Sequence, residues 1–333
     1  MKVLVTGASG FIGSTLIGQL NRLGIEPFAL LRKTSDTSNL QGLKYHRREG
    51  DLSHLDSLKE AVQDVDVIYH LAGATMAPDR EAFFRHNAQG TALLARAAAE
   101  ARPGLKRFVF VSSMAAGGPS TSPSPKLESD PDQPVSLYGE SKLQGEKDLL
   151  RHKDIFPISI IRPPMVYGPR DKGVFIAIQT VSRGVMPILQ GATPDRNKHY
   201  SAIHSDDLCQ AILQAGAVTP DQVASGEIFY IAADGVFTYR EMLKTIARHL
   251  DRKAVAFPVP RFAITAGAMF TTVASKVTGK TYALNLDKLG EIHADFWVCS
   301  NEKAKTKLGF KPKYDFDTGM SDAIEWYKKE KWI

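Results

Sequence analysis

The stretch TGASGFIG, Thr6 to Gly13, follows the short apolar run Val3–Val5 and leads into a helical pattern. Its glycines, Gly7, Gly10 and Gly13, are spaced GxxGxxG rather than GxGxxG. A turn from strand to helix needs glycine where φ is positive and where the backbone must come close to a pyrophosphate. The helix start, Phe11, Ile12 and Gly13, then offers free N–H groups and a partial positive charge to phosphate oxygens. The stretch predicts a dinucleotide site at the end of the first strand.

Working outward, apolar runs rich in Val, Ile and Phe recur at Glu26–Leu31, Val65–His70, Arg107–Val111 and Ile158–Ile161, separated by helical patterns. Strands alternating with helices predict an α/β fold, a doubly wound parallel sheet of Rossmann type. Residues 1–169 are expected to form the NAD(P)-binding domain, rejoined by a segment at about 199–234. Residues 170–198 and 235–333 are expected to form a smaller, mostly helical substrate domain. The pattern predicts one long helix over 79–101, with Phe83, Asn87, Gly90, Leu94 and Ala98 on one stripe. Further on it predicts a helix at Val174–Arg183, a short strand near His199–Ile203 and a strand at Glu227–Ile231. Thr238 to Glu241, TYRE, has the form of a capping box. The Pro- and Ser-rich run Pro119–Pro134 reads as a surface loop beside the site rather than a linker.

The second strand ends in LLRKTSD, where an NAD site usually places an acidic residue on the adenosine ribose. Arg32 and Lys33 stand there instead, and a guanidinium suits a 2′-phosphate, so NADP(H) is favoured over NAD(H). Asp51 and Leu52 then face the adenine, and Leu71, Ala72 and Gly73 line the cofactor. In YGESK, Tyr138 and Lys142 are i and i+4 and share a helix face. A phenol with a pKa near ~10 is a poor proton carrier until a nearby ammonium lowers it. Lys142 is expected to do so and to hold the ribose. Ser112 and Ser113 close the strand FVFVSS, where open α/β sheets bind ligands.

The chain has 333 residues, 43% hydrophobic and 23% charged, with a formal charge of +6. No run of like charges or basic, aromatic-interleaved stripe points to nucleic acid. Cys209 and Cys299 are too few for a disulfide framework or a metal knuckle. His70 and His204 lack a ligand partner at metal spacing and read as hydrogen-bonded structural histidines, so no metal is expected. No apolar run reaches the length of a membrane span. With no charged leader before the first strand, the expected location is cytoplasmic.

Together, TGxxGxxG, the strand-end serine pair and YxxxK resemble the extended short-chain dehydrogenases/reductases, or NAD-dependent epimerase/dehydratase family, over nearly the whole chain. The nearest resemblance is to its sterol dehydrogenase-like and dihydroflavonol reductase-like members. The resemblance implies Ser113, Tyr138 and Lys142 as the catalytic trio. It implies that IIRPPMVYGPRD passes beneath the nicotinamide, with Pro163 and Val166 in contact, and that Asn87 bonds backbone behind the tyrosine. It implies a homodimer through two helices, for which Phe84, Ala88 and Ala95 offer a face; the same spacing suits burial within one chain.

Where nucleotide-sugar members carry Arg-Asp-Phe, gripping the diphosphate, this chain has Tyr200-Ser201-Ala202, with Arg196 nearby as a substitute. Met114-Ala115-Ala116 supply no carboxylate of the dehydratase kind. The stretch Ala254–Val277 is dominated by Ala, Val, Phe and Met, and suits a helix lining an apolar substrate pocket or ordinary core. The expected activity is interconversion of a secondary alcohol and a ketone on a small sterol-like or flavonoid-like molecule. A nucleotide-sugar epimerase using the same trio is the alternative, and a non-catalytic NADP-binding scaffold a remoter one.

Overall fold

The computed structural model describes residues 1–193, 196–278, 282 and 284–333, the side chains of 276 and 277 excepted. The strands are β1 (Val3–Thr6), β2 (Phe28–Leu31), β3 (His46–Glu49), β4 (Val67–His70), β5 (Arg107–Val111), β6 (Ile158–Arg162) and β7 (Met165–Tyr167). They continue as β8 (Val185–Leu189), β9 (His199–Tyr200), β10 (Ala202–His204), β11 (Glu227–Tyr230), β12 (Phe237–Thr238), β13 (Val255–Val259) and β14 (Phe296–Trp297). The helices are α1 (Phe11–Arg22), α2 (Leu55–Val62), α3 (Arg80–Phe84), α4 (Gly90–Ala101), α5 (Met114–Gly117), α6 (Leu137–Leu150) and α7 (Gly173–Ser182). After them come α8 (Ser205–Ala217), α9 (Tyr239–His249), α10 (Arg261–Thr278), α11 (Leu289–His293), α12 (Glu302–Leu308) and α13 (Phe316–Lys329).

A seven-stranded parallel sheet runs in the order β11-β6-β5-β4-β1-β2-β3. Alternate side chains of each strand serve opposite faces. Val3 and Val5 pack with Leu16, Ile17 and Leu20 of α1 and with Leu208 and Ile212 of α8. Leu4 packs with Leu58 and Val62 of α2 and Leu94 and Ala98 of α4. Both faces are covered, which is why the central strands read as continuous apolar runs. The strand order turns back between β1 and β4, and in such sheets a crevice opens there at the carboxyl ends.

The predicted helix over 79–101 is interrupted. Asp79 caps α3 by accepting from the Ala82 amide at 2.8 Å, but residues Arg85–Gln89 form a π-turn before α4 resumes. The predicted stripe is buried throughout. Ala88 and Ala95 are buried inside this chain too, so of the three residues offered as a subunit face only Phe84 keeps part of its surface.

The short strand expected near His199–Ile203 is two strands. β9 joins β12 and β14, whereas β10 pairs with β7. A separate core gathers Ile178 and Val181 of α7, Leu243 and Ile246 of α9, and Ile324 and Tyr327 of α13. The capping box at Thr238 and Glu241 is present on both sides. The stretch 254–277 is not one helix: it starts as β13, paired with β8, and becomes α10 only after Pro260.

Candidate active site

Gly7 has φ +66°, and a Cβ there would lie 2.7 Å from the Ala72 amide nitrogen. A Cβ on Gly13 would lie 2.1 Å from the Gly7 carbonyl oxygen. The turn therefore excludes side chains twice over, once for conformation and once for space. Gly10 caps α1 without any side-chain hydrogen bond, so the first-turn amides have no capping acceptor. A groove of about 490 Å³ runs past this turn and is bordered by Gly7, Gly10, Arg32, Asp51, Leu52, Leu71, Ala72 and Gly73. An uncapped helix start beside a bare glycine backbone fits the pyrophosphate of a dinucleotide. We expect Gly13→Ala to lower cofactor affinity at least about tenfold and to destabilise the chain by roughly 1–3 kcal/mol, because the methyl overpacks against backbone; fluorescence titration and urea unfolding test both.

Four residues expected in this groove are not in its wall. Ile12 packs against the core beneath, and Phe11 and Gly13 contribute only as the start of α1. Lys33 is turned away: it is exposed and pairs with Glu49 at 3.4 Å. Arg32 stays at the groove, its amide donating to Ser35 Oγ at 2.9 Å. Burial raises Asp51, but hydrogen bonds from the Ser53 amide and hydroxyl, with the charge of Arg32, hold it below the usual carboxylate range.

α6 starts at Ser136, whose Oγ accepts from the Gly139 amide at 3.0 Å. That start puts Tyr138, Lys142 and Glu146 one turn apart on one stripe, all facing inward. Ser113 caps α5, accepting from the Ala115 amide at 3.1 Å, and hydrogen-bonds the Tyr138 phenol. Lys142 Nζ donates to the Val111 carbonyl at 2.8 Å and sits 4.2 Å above the Phe110 ring. A Cβ on Gly73 would lie 3.6 Å from that same Nζ, so the ammonium stands at the wall of the dinucleotide groove.

Glu146 is gripped by Arg162, which also binds Asp132 in the 119–134 loop. That loop, linker-like in composition, is thus pinned beside the site. Asn87, in the π-turn, accepts from the Ala74 amide at 2.7 Å and donates to the Ala74 carbonyl and Ser141 Oγ, both at 2.9 Å.

The titration behaviour departs from expectation. Burial pushes the Tyr138 phenol up to about 12, against the pull of the Ser113 hydrogen bond, and the charge of Glu291 adds to the rise. Lys142 is not among the groups that set it. The ammonium points to Val111 instead, and burial lowers Lys142 to about 7 while Glu146 holds it up. In this geometry burial keeps the phenol neutral, and the Lys142 ammonium does not lower it. His70 is lowered to about 3 by burial and by the charge of Lys142. It bonds Thr6 and Thr91 as a structural residue, and His204 caps α8 through Nδ1.

A second cavity, of about 300 Å³, has Ser113 and Tyr138 in its wall. Met114, Ala115, Pro164, Met165, Leu189, Ile292 and Trp297 give it apolar sides, and Tyr200 and Glu291 complete it. Pro163 and Val166, expected beneath the nicotinamide, do not border this cavity. The Pro163 carbonyl accepts from the Met114 amide, and Val166 packs into the core, leaving Pro164 and Met165 to face the cavity.

Residues 3–232 match the NAD-dependent epimerase/dehydratase family. A ceramide reductase of Caulobacter vibrioides is 30% identical, the match spanning 99% of this chain and 96% of the relative. A 4-hydroxy-2-methyl-3-oxo-4-farnesyl-3,4-dihydroquinoline-1-oxide ketoreductase of Stigmatella aurantiaca is 26% identical, spanning 97% of this chain and 96% of the relative. The UDP-glucose 4-epimerase of Thermotoga maritima, solved with UDP-glucose, superposes with a TM-score of 0.78 at 23% identity, covering 99% of each chain. The chain belongs to the NAD-dependent epimerase/dehydratase family.

As a family member of the extended short-chain dehydrogenase type it is an NAD(P)-dependent enzyme. Tyr200 borders the cavity and Ser201 is turned to the Cys299 amide, so neither grips an anion. Arg196 is exposed in a turn and does not reach the cavity wall. Sequence patterns gave no sign of a clamp from the C-terminal segment. Asp287 accepts from the Leu137 amide at 2.7 Å, and Glu291 accepts from Ser136 Oγ and pairs with Lys288 at 2.8 Å. Lys288 Nζ lies 5.0 Å over the Tyr138 ring. No spacing rule links residues about 150 apart, so only the fold reveals them. Among the described residues there is no cluster of ligands fit to hold a metal, and no helix long and apolar enough to cross a membrane.

Proposed function

We propose that the enzyme reduces and oxidises a carbonyl/secondary-alcohol pair on an apolar, lipid-, sterol- or flavonoid-like molecule, with NADP(H) favoured over NAD(H). One observation carries this: the cavity in front of Tyr138 has Glu291 as its sole charged wall residue and no Arg or Lys among the described residues. A diphosphate entering there would meet a carboxylate whose lysine partner, Lys288, is already paired to it, rather than a free cation. An apolar skeleton meets methionine, leucine, isoleucine and tryptophan instead. The ceramide and farnesyl-dihydroquinoline specificities of the two relatives, both for apolar molecules, support the same reading.

In this reading Ser113 and Tyr138 hold the carbonyl oxygen, and the neutral phenol supplies the proton to it. Lys142 holds the ribose side and stands behind the proton-transfer site. The dinucleotide supplies the hydride when bound. Spectrophotometric turnover of NADPH with apolar cyclic and long-chain ketones tests the assignment against UDP-sugar substrates. We expect kcat/KM at least about 100-fold higher for the apolar ketones, roughly 2.7 kcal/mol of discrimination. Turnover confined to UDP-sugars would overturn it.

Arg32 carries the cofactor preference. Arg32→Ala is expected to weaken NADPH binding about tenfold and to leave NADH binding within about threefold, since only the 2′-phosphate loses a charged partner. A wild-type enzyme that binds NADH more tightly removes that part of the reading.

A further inference from the structure

The helix α10 is built inside out for a helix facing water. Between residues 262 and 273 its exposed positions are Phe262 (76%), Ala263, Ala266, Met269 (54%), Phe270 (74%) and Val273 (62%). At 100° per residue these fall within an arc of about 120° that carries no polar side chain. The hydroxyls point elsewhere and are spent on backbone. Thr265 donates to the Arg261 carbonyl at 3.1 Å, Thr271 to the Leu284 carbonyl at 2.5 Å, and Thr272 to the Ala268 carbonyl at 2.7 Å. The adjoining strand β13 adds exposed Val255 and Phe257. Scattered exposed apolar residues are ordinary, but a contiguous stripe of this kind marks a contact surface.

Charge says what kind of surface covers it. From residue 252 to residue 286 the charged residues are Arg252, Lys253, Arg261, Lys276 and Lys280, with no Asp or Glu. Arg252 and Lys253 are exposed at the foot of β13. An apolar stripe with two phenylalanines, in a segment whose charges between Asp251 and Asp287 are all positive, complements a layer with anionic headgroups over acyl chains. A second copy of this chain would set those like charges against each other. We propose that α10 and β13 form an interfacial element that seats the enzyme on an anionic phospholipid bilayer.

The element is coupled to the substrate cavity. The Leu286 amide donates to Thr272 Oγ1 at 3.0 Å, and one residue on Asp287 holds the start of α6. Four residues further lie Glu291 and Ile292 in the cavity wall. A seat for α10 thus lies one short segment from the cavity, which suits a substrate delivered from the lipid phase. That last step rests on the proposed function; the seating itself does not.

The test is co-sedimentation of the full chain with vesicles of phosphatidylcholine alone and of phosphatidylcholine mixed with phosphatidylglycerol. Wild type is expected to pellet with the mixed vesicles. Phe262→Ser/Phe270→Ser should bind at least about tenfold more weakly, as two phenyl groups no longer enter the interface. Arg252→Glu/Lys253→Glu should bind several-fold more weakly and lose its salt sensitivity. All four positions are exposed or partly so, and NADPH binding and turnover of a short water-soluble ketone should be unchanged in both variants. Wild type remaining in the supernatant with both vesicles, or the phenylalanine variant pelleting as well as wild type, overturns the proposal. So does a dimer in sedimentation velocity that the phenylalanine variant dissolves without any vesicle binding, since a second copy then covers the stripe. Vesicle binding without reduction of any apolar ketone would sink the proposed function and leave the seating intact.

Discussion

Tyr138→Phe should reduce kcat for carbonyl reduction about 10²–10⁴-fold while leaving NADPH affinity within about threefold. The substitution removes one oxygen from a half-buried ring that otherwise packs against Phe83, with ring centroids 6.2 Å apart, so the fold has no reason to change. What disappears is the donor that shares a hydrogen bond with Ser113 in the cavity wall. Because burial pushes that phenol to about 12, reduction in wild type should be independent of phenol ionisation at neutral pH. Oxidation, which needs the phenolate form to accept the proton of the alcohol, should rise with pH through the alkaline range. Single-turnover measurements with NADPH and a good ketone substrate separate the chemical step from binding. A variant that keeps wild-type kcat on every substrate removes Tyr138 from the chemistry and with it the site as drawn.

The legible parts of this chain are those where one local rule dominates. TGASGFIG declares its turn because φ at Gly7 and the space beside Gly13 admit nothing else. The core strands are legible because both sheet faces are covered, so VLV, FVFV and ISII carry no polar alternation. β3 was not legible: His46-Arg47-Arg48-Glu49 is an edge strand held by backbone pairing to β2, and its side chains carry no apolar signal. The π-turn at Arg85–Gln89 hid inside good helical periodicity, because its cause is tertiary: Asn87 reaching across to the backbone of residue 74.

At the site, spacing in the sequence points to the glycine turn and to a shared helix face for Tyr138 and Lys142, and both features are present. Lys33 faces away from the groove, and Pro163 and Val166 border neither cavity, because sequence position gives no side-chain direction. The apolar stretch 254–277 was read as pocket lining or core, yet composition cannot say which side of a helix faces out. The cavity gets its apolar wall from β7, β8, α5 and α11 instead.

Glu146→Ala should cost roughly 2–4 kcal/mol of stability, because it leaves a buried guanidinium with Asp132 as its one carboxylate partner. Arg162 is 1% exposed and Glu146 2%, and the two share a bidentate pair at 2.9 and 2.5 Å, with Asp132 taking the other edge at 2.6 and 3.0 Å. Urea unfolding monitored by tryptophan fluorescence reads the loss. The gentler Glu146→Gln keeps a hydrogen-bond acceptor for Arg162 and isolates the second role of the carboxylate, its charge one turn from Lys142.

Lys142 stands at about 7 in the folded chain, below its ordinary 10.5. Between those values the unfolded chain binds the extra proton, so folding stability rises with pH through that window and the penalty is fully present below it. Glu146 opposes the lowering, so neutralising it moves the folded value down and extends the rise to pH below 7. Glu146→Gln should therefore still gain stability between pH 6 and 7, relative to Lys142→Met in the same background, where wild type gains little. Identical pH slopes for Glu146→Gln and wild type, each measured against its own Lys142→Met counterpart, would show that Glu146 does not set the charge of Lys142 and serves only to anchor Arg162.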